Sequence, residues 1–181
     1  MKVTKTDFQG LLIIEPRVFD DQRGYFYEVH QHERYAEAGI PAFVQDNLSR
    51  SKRGVLRGMH YQLSHSQGKL VGVTSGEVWD VAVDLRRSSP TFGKWFARTL
   101  SDKNHTQIYI PPGFAHGFCV LSETADFYYK CTDYYDASAE RGIIWNDTQL
   151  KIDWPIAQPT LAAKDTTHPS LNEISHEQLF A

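Results

Sequence analysis

Two cysteines in 181 residues, no block of like charge and no long apolar run are the first things this chain withholds. Cys119 and Cys131 both sit inside apolar, strand-like segments, which fits two buried thiols rather than a disulfide framework or a metal pair. Lys plus Arg number 19 and Asp plus Glu 22, for a net charge of −3. Without a basic stripe there is no surface for wrapping nucleic acid, although a few placed arginines can still grip one phosphorylated small molecule. The N-terminal stretch MKVTKTDFQG lacks the apolar core of a secretory signal, and Leu11 to Ile14 is the longest clean apolar run nearby. No membrane span is expected, and a reducing cytoplasm is the expected compartment.

What the chain does have is aromatic and β-branched residues, 13% of it aromatic, punctuated by glycine and proline at short intervals. That pattern predicts an all-β fold, an antiparallel sandwich or closed barrel with a few short peripheral helices. Residues 1–181 are expected to form a single domain, since no linker, repeat or low-complexity segment interrupts them. Strands are predicted at Leu11 to Glu15, Gly24 to Val29, Phe43 to Ser49, Val55 to Gln62, Lys69 to Thr74, Glu77 to Leu85, Lys94 to Leu100 and Thr106 to Ile110. His116 to Leu121 and Thr124 to Thr132 follow as a hairpin, and His32 to Ala38 reads as a short helix stopped by Gly39 and Pro41. In the strand from Glu77, Trp79, Val81, Val83 and Leu85 share one apolar face while Asp80, Ala82 and Asp84 share the other.

Chemistry concentrates in GVLRGMHYQ, Gly54 to Gln62. Strict alternation puts Arg57 and His60 on opposite faces, but a bulge at Gly58 would turn both into one pocket. Four side chains there each have a plain structural reading and a chemical one. His60 is either a core histidine satisfied by a carbonyl or a base. Lys69 is either a solvated strand-end lysine or, in a dry pocket, the group that stabilises an oxyanion. Tyr129 faces the apolar side of its strand, as packing or as an acid, since a phenol with pKa near ~10 stays protonated at neutral pH. Asp165 in LAAKD is a turn former unless it folds back onto His60 and orients it.

Pro111 to His116, P-x-G-x-x-H, resembles the second motif of the cupin superfamily. The first cupin motif normally supplies His-x-His and a carboxylate. Here the matching run is His60-Tyr61-Gln62 and then Gln67-Gly68-Lys69, which predicts a barrel without a metal.

RGYF with Glu28, FVQDNLSRS, GVLRGMHYQ, QGKLV, GEVWDVAVDLRRSSPTFGKW, IPPGFAHGF, YKCTDYY and LAAKD resemble the dTDP-4-dehydrorhamnose 3,5-epimerase family from about Gly10 to Asp165. The resemblance implies a cofactor-free, cupin-type jelly-roll isomerase that inverts C3 and C5 of dTDP-4-dehydro-6-deoxy-D-glucose in rhamnose synthesis for polysaccharides. It implies His60 as base, Asp165 as its partner, Tyr129 as acid on the opposite face and Lys69 as enolate stabiliser. Arg23, Phe26, Glu28, Gln45, Asn47, Arg57, His116, Tyr135 and Glu140 would bind the nucleotide and sugar. It also implies a homodimer in which the N-terminal strand carrying Arg23, Phe26 and Glu28 crosses to the neighbour. Met59 and Cys131 depart from the pattern beside His60 and Tyr129 and could reshape the pocket. The competing expectations are a single-centre epimerase or ketoisomerase of another dTDP-deoxysugar pathway, a metal-dependent oxygenase, and a non-catalytic sugar-nucleotide binding module.

Overall fold

The computed structural model describes residues 1–181. Strands β1 (Lys2–Lys5), β2 (Leu12–Glu15), β3 (Val18–Asp21) and β4 (Gly24–Tyr27) precede the helix α1 (His32–Glu37). Then come β5 (Gln45–Lys52), β6 (Leu56–Gln62), β7 (Lys69–Ser75), β8 (Glu77–Asp84), β9 (Trp95–Ser101), β10 (Gln107–Ile110), β11 (Phe114–Val120), β12 (Thr124–Cys131) and β13 (Glu140–Gly142). All strand ladders are antiparallel. One sheet runs β1-β2-β10-β7-β12-β5 and the facing one β13-β6-β11-β8-β9, while β3 and β4 form a separate hairpin. This is the all-β antiparallel sandwich expected from composition, of the cupin type that the resemblance implied, with short helical turns confined to its periphery.

The expected hairpin of β11 and β12 does not form. β11 pairs with β6 and β8 in the five-stranded sheet, whereas β12 pairs with β5 and β7 in the six-stranded one. The short connection between them crosses from one sheet to the other. β1 and β3, with the polar sequences KVTK and VFDD, were not expected. The strand expected to end at Ser49 continues as β5 to Lys52.

Between the sheets lies a core that includes Val71, Val73, Ala82, Ile108, Phe118 and Phe127. Phe118 and Phe127 stack across the gap with ring centroids 4.0 Å apart. The apolar face of β8 looks the other way. Val81, Val83 and Leu85 pack on Leu171, Ile174 and Leu179 of the C-terminal segment, which wraps the outside of the five-stranded sheet. Asp80, Ala82 and Asp84 therefore face inward, all nearly inaccessible. Asp84 is satisfied there by Arg86, Ser89 and Thr91.

Thr160 fastens this wrapping segment to the barrel: its N–H donates to the Gly54 carbonyl at 2.8 Å and its carbonyl accepts from Leu56 N–H at 3.0 Å. Further along, Tyr61 Oη donates to the Gln178 carbonyl at 3.0 Å. No helix of the chain is long and apolar enough to cross a membrane. Because Leu171 is only 4% exposed, Leu171→Ala should lower the unfolding free energy by about 2–4 kcal/mol in urea titration. A loss below about 0.5 kcal/mol would mean the segment is not part of the core.

Candidate active site

β6 does not keep a regular ladder. His60 pairs with His116 and Arg57 with Phe118, so three steps on β6 oppose two on β11. Gly58 makes this possible: its φ is +141°, and a Cβ there would come within 2.6 Å of the Gly117 Cα. The bulge rotates the strand by one side-chain position. Arg57 and His60 consequently line the same cavity, as expected from the sequence, while Met59 turns outward into the core beneath the C-terminal segment.

The cavity has a volume of about 550 Å³ and opens between the two sheets. Arg57, His60 and His116 come from the five-stranded sheet, and Gln45, Asn47, Lys69 and Tyr129 from the six-stranded one. Tyr135, Glu140 and Asp165 complete its lining. His60 and Tyr129 thus stand on opposite walls. Tyr129 follows Phe127 inward by strict alternation, so its apolar face is the lumen.

Asp165 is 1% exposed, in the turn Ala163–Thr166. His60 Nε2 lies 2.7 Å from Asp165 Oδ1. With the carboxylate ionised, Nε2–H is the donor and Nδ1 is left with a free lone pair. Burial alone would raise the Asp165 carboxyl, but the hydrogen bond and charge of His60, the Gly58 N–H and His168 hold it below its ordinary value.

Lys69 is in no ion pair; burial lowers its ammonium, opposed by Cys131, Asp80 and Glu140. Its Nζ sits 5.9 Å from the Tyr129 ring centre. Burial raises the Tyr129 phenol, reinforced by Cys131 and partly offset by Arg57. The hydroxyl is accordingly a proton carrier at neutral pH. A lysine and a phenol therefore share one wall, facing an imidazole on the other.

The remaining polar groups are held by short contacts. Arg57 Nε donates to Ser51 Oγ at 3.1 Å, Gln45 Nε2 to Asn47 Oδ1 at 3.1 Å, and Tyr135 Oη to Glu140 Oε2 at 3.1 Å. Glu140 also accepts from Lys164 Nζ at 2.8 and 2.9 Å. Gln62, at the position of a cupin histidine, spends its amide on the His65 and Tyr134 carbonyls and the Asp136 N–H, latching the rim loop.

Arg23, Phe26 and Glu28 stay outside this cavity. They belong to the β3–β4 hairpin and its exit, where Arg23 pairs with Asp21, Glu28 pairs with Arg34, and Phe26 is 69% exposed.

Two residues escaped the sequence reading. Asp80, fully buried, lies 2.8 Å from His116 Nε2 and fixes that ring in the wall. His168 lies behind Asp165, with Nε2 3.6 Å from Oδ1. A tail histidine carries no periodic signal, so nothing in the sequence alone marked it. His60, Asp165 and His168 bring their donor atoms within 4.8 Å of one another; the 2.7 Å contact is a His60–Asp165 hydrogen bond, and His168 approaches the same oxygen at 3.6 Å without forming one.

The family model for dTDP-4-dehydrorhamnose 3,5-epimerase matches residues 5–173. A dTDP-4-dehydrorhamnose 3,5-epimerase of Pseudomonas aeruginosa is 56% identical over 168 residues, 91% of this chain and 93% of its own. The crystal structure of a dTDP-6-deoxy-D-glucose-3,5-epimerase from Legionella pneumophila, in complex with dTDP-4-keto-L-rhamnose, is 54% identical. It superposes with a TM-score of 0.96, covering 99% of this chain and 97% of that one. A 3'-monoepimerase from Streptomyces bikiniensis, in complex with dTDP-quinovose, is more distant at 31% identity and a TM-score of 0.87, covering 92% and 86%. A buried His–Asp pair facing a phenol and a lysine across one barrel cavity thus sits in a chain that, by sequence and by fold, belongs to the dTDP-4-dehydrorhamnose 3,5-epimerase family.

Proposed function

We propose that this chain epimerises C3 and C5 of dTDP-4-dehydro-6-deoxy-D-glucose, giving dTDP-4-dehydro-L-rhamnose for rhamnose biosynthesis. The observation that carries the reading is the placement of His60 and Tyr129 on opposite walls of one cavity, in a chain so close to the Pseudomonas and Legionella enzymes.

A C4 ketone acidifies the hydrogens on both neighbouring carbons. His60 Nδ1 removes one of them, and Asp165 holds the imidazolium that results. Lys69 stabilises the enolate oxygen as charge develops there. Tyr129 returns a proton to the other face of the same carbon, so the centre inverts. His60 then releases its proton and Tyr129 recovers one by exchange with solvent, and repetition at the second carbon completes the product. Arg57 and His116 reach the polar end of the sugar nucleotide, and Gln45, Asn47, Tyr135 and Glu140 line the approach. The whole chain acts as one catalytic unit without a cofactor, in the cytoplasm.

Label from deuterated buffer should enter both C3 and C5, and His60→Ala should abolish incorporation at both. Tyr129→Phe separates the two half-reactions: proton removal continues while inversion falls by at least about 10²-fold. Label at one carbon only would select the single-centre alternative, for which the Streptomyces monoepimerase is a relative. No label at either carbon would reject epimerisation.

A homodimer completes the site. The β3–β4 hairpin joins neither barrel sheet and exposes Phe19, Tyr25 and Phe26, while Leu48 on the edge strand β5 is 69% exposed. Apolar surface of this kind on an unpaired sheet edge marks a contact between chains. Exchange of the hairpin would bring Arg23, Phe26 and Glu28 of one copy to the cavity of the other, where the guanidinium meets pyrophosphate and the ring stacks on the base. Light scattering should give a dimer for the wild-type protein and a monomer of much higher KM for Leu48→Glu. A monomeric, fully active wild-type protein would overturn the exchange.

A further inference from the structure

The Asp165 carboxylate has two imidazoles aimed at a single oxygen. His60 Nε2 is 2.7 Å from Oδ1 and His168 Nε2 is 3.6 Å from the same atom. The two rings meet edge to face, with centroids 5.7 Å apart and planes at 76°. His168 Nε2 is buried and has no hydrogen-bond partner, a situation that is rare unless the atom serves a nearby group.

The seat for this ring is built into β13. Gly142 pairs with His60 in the β13–β6 ladder, and any Cβ at 142 would collide with the His168 ring. The charged and titratable groups facing His168 are His60 of β6, Asp165 and Lys164 of the Ala163–Thr166 turn, and Glu140 of β13. Burial, with His60 and Lys164, keeps its imidazole below the ordinary value against the pull of Asp165 and Glu140. It is a neutral ring with one N–H to give.

We propose that His168 is a positioning residue that shares the Asp165 carboxylate with His60, so that the base can release its proton between the two inversions. The proposal rests on the double epimerisation put forward above. The same imidazole must accept a proton, discharge it and act again at the second carbon. A carboxylate committed to His60 alone would hold the imidazolium too firmly, whereas a second N–H on Oδ1 weakens that hold. At 3.6 Å the contact is electrostatic rather than a hydrogen bond, and contacts of this kind tighten when substrate fills a site. His168 does not line the cavity, so it acts only through Asp165.

His168→Met fills the space without an N–H, and His168→Gln fills it with one. In the Met variant the acid limb of the kcat/KM profile should move to higher pH by about 0.5–1 unit, with kcat falling more than KM changes, while Gln stays within about 0.2 unit of wild type. His168→Ala replaces Met if thermal unfolding shows that Met does not fold. Nitrogen chemical shifts of the His60 ring in the protein alone give a readout independent of any sugar: a fixed Nε2–H tautomer in wild type and Gln, and a changed ring environment in Met. Coincident profiles and shifts for Met and Gln, whether both wild-type-like or both displaced, would overturn the role of the N–H. Failure of the wild-type protein to label the sugar would reject the double epimerisation instead, and leave the ring shifts to judge His168.

Discussion

A single hydrogen bond between residues 105 positions apart, His60 Nε2 to Asp165 Oδ1 at 2.7 Å, is the constraint the rest of the structure serves. A carboxylate 1% exposed would be costly if it had no partner. The chain meets that cost with the imidazole, with a backbone N–H at Gly58 and with a second imidazole behind. None of this exists until the segment after β13 has been laid along the barrel. Thr160 does so by backbone hydrogen bonds to Gly54 and Leu56, on either side of the isolated bridge at Val55. The tail is therefore as much a part of the site as the strand that carries His60.

The opposite walls of the cavity are built by different means. On the six-stranded side, ordinary alternation suffices: Lys69, Phe127 and Tyr129 point inward because their parity requires it. On the five-stranded side alternation would have separated Arg57 from His60, and a bulge at a glycine that no other residue could replace brings them together. Two chemically different walls follow: an imidazole and its carboxylate on one, a phenol beside a lysine on the other. Phe118 and Phe127, stacked between the sheets, line the cavity with apolar surface, and low polarity of this kind strengthens the charge interactions beside it.

Much of this was legible in the residues. Central strands with a buried face announce themselves by alternation, and β6, β7, β8 and β12 were placed within a residue or two. β1 and β3 were not, because KVTK and VFDD are exposed edge segments whose pattern no core imposes. β11 and β12 were joined as a hairpin because a short connection favours one, yet both strands satisfy their alternation equally well in separate sheets. The inward face of β8 was read as two alternating sets without knowing which was lumen, so Asp80 was passed over beside His116. His168 lies in a segment with no period at all. Among the residues that line the cavity, Arg57, His60, Lys69 and Tyr129 stood out by glycine flanks and strand parity, whereas Gln45, Asn47, Tyr135 and Glu140 came only from the family resemblance.

The central claim is that one carbon acid is approached from two faces, by Nδ1 of His60 and by the hydroxyl of Tyr129. A crystal structure of the protein with a non-reacting 4-keto sugar nucleotide analogue tests this most directly. The account predicts the sugar ring between the two side chains, with each atom about 3–3.5 Å from the ring carbons next to the ketone and on opposite sides of the ring. Both groups on one side of the ring, or a ring bound beyond reach of His60, would contradict it.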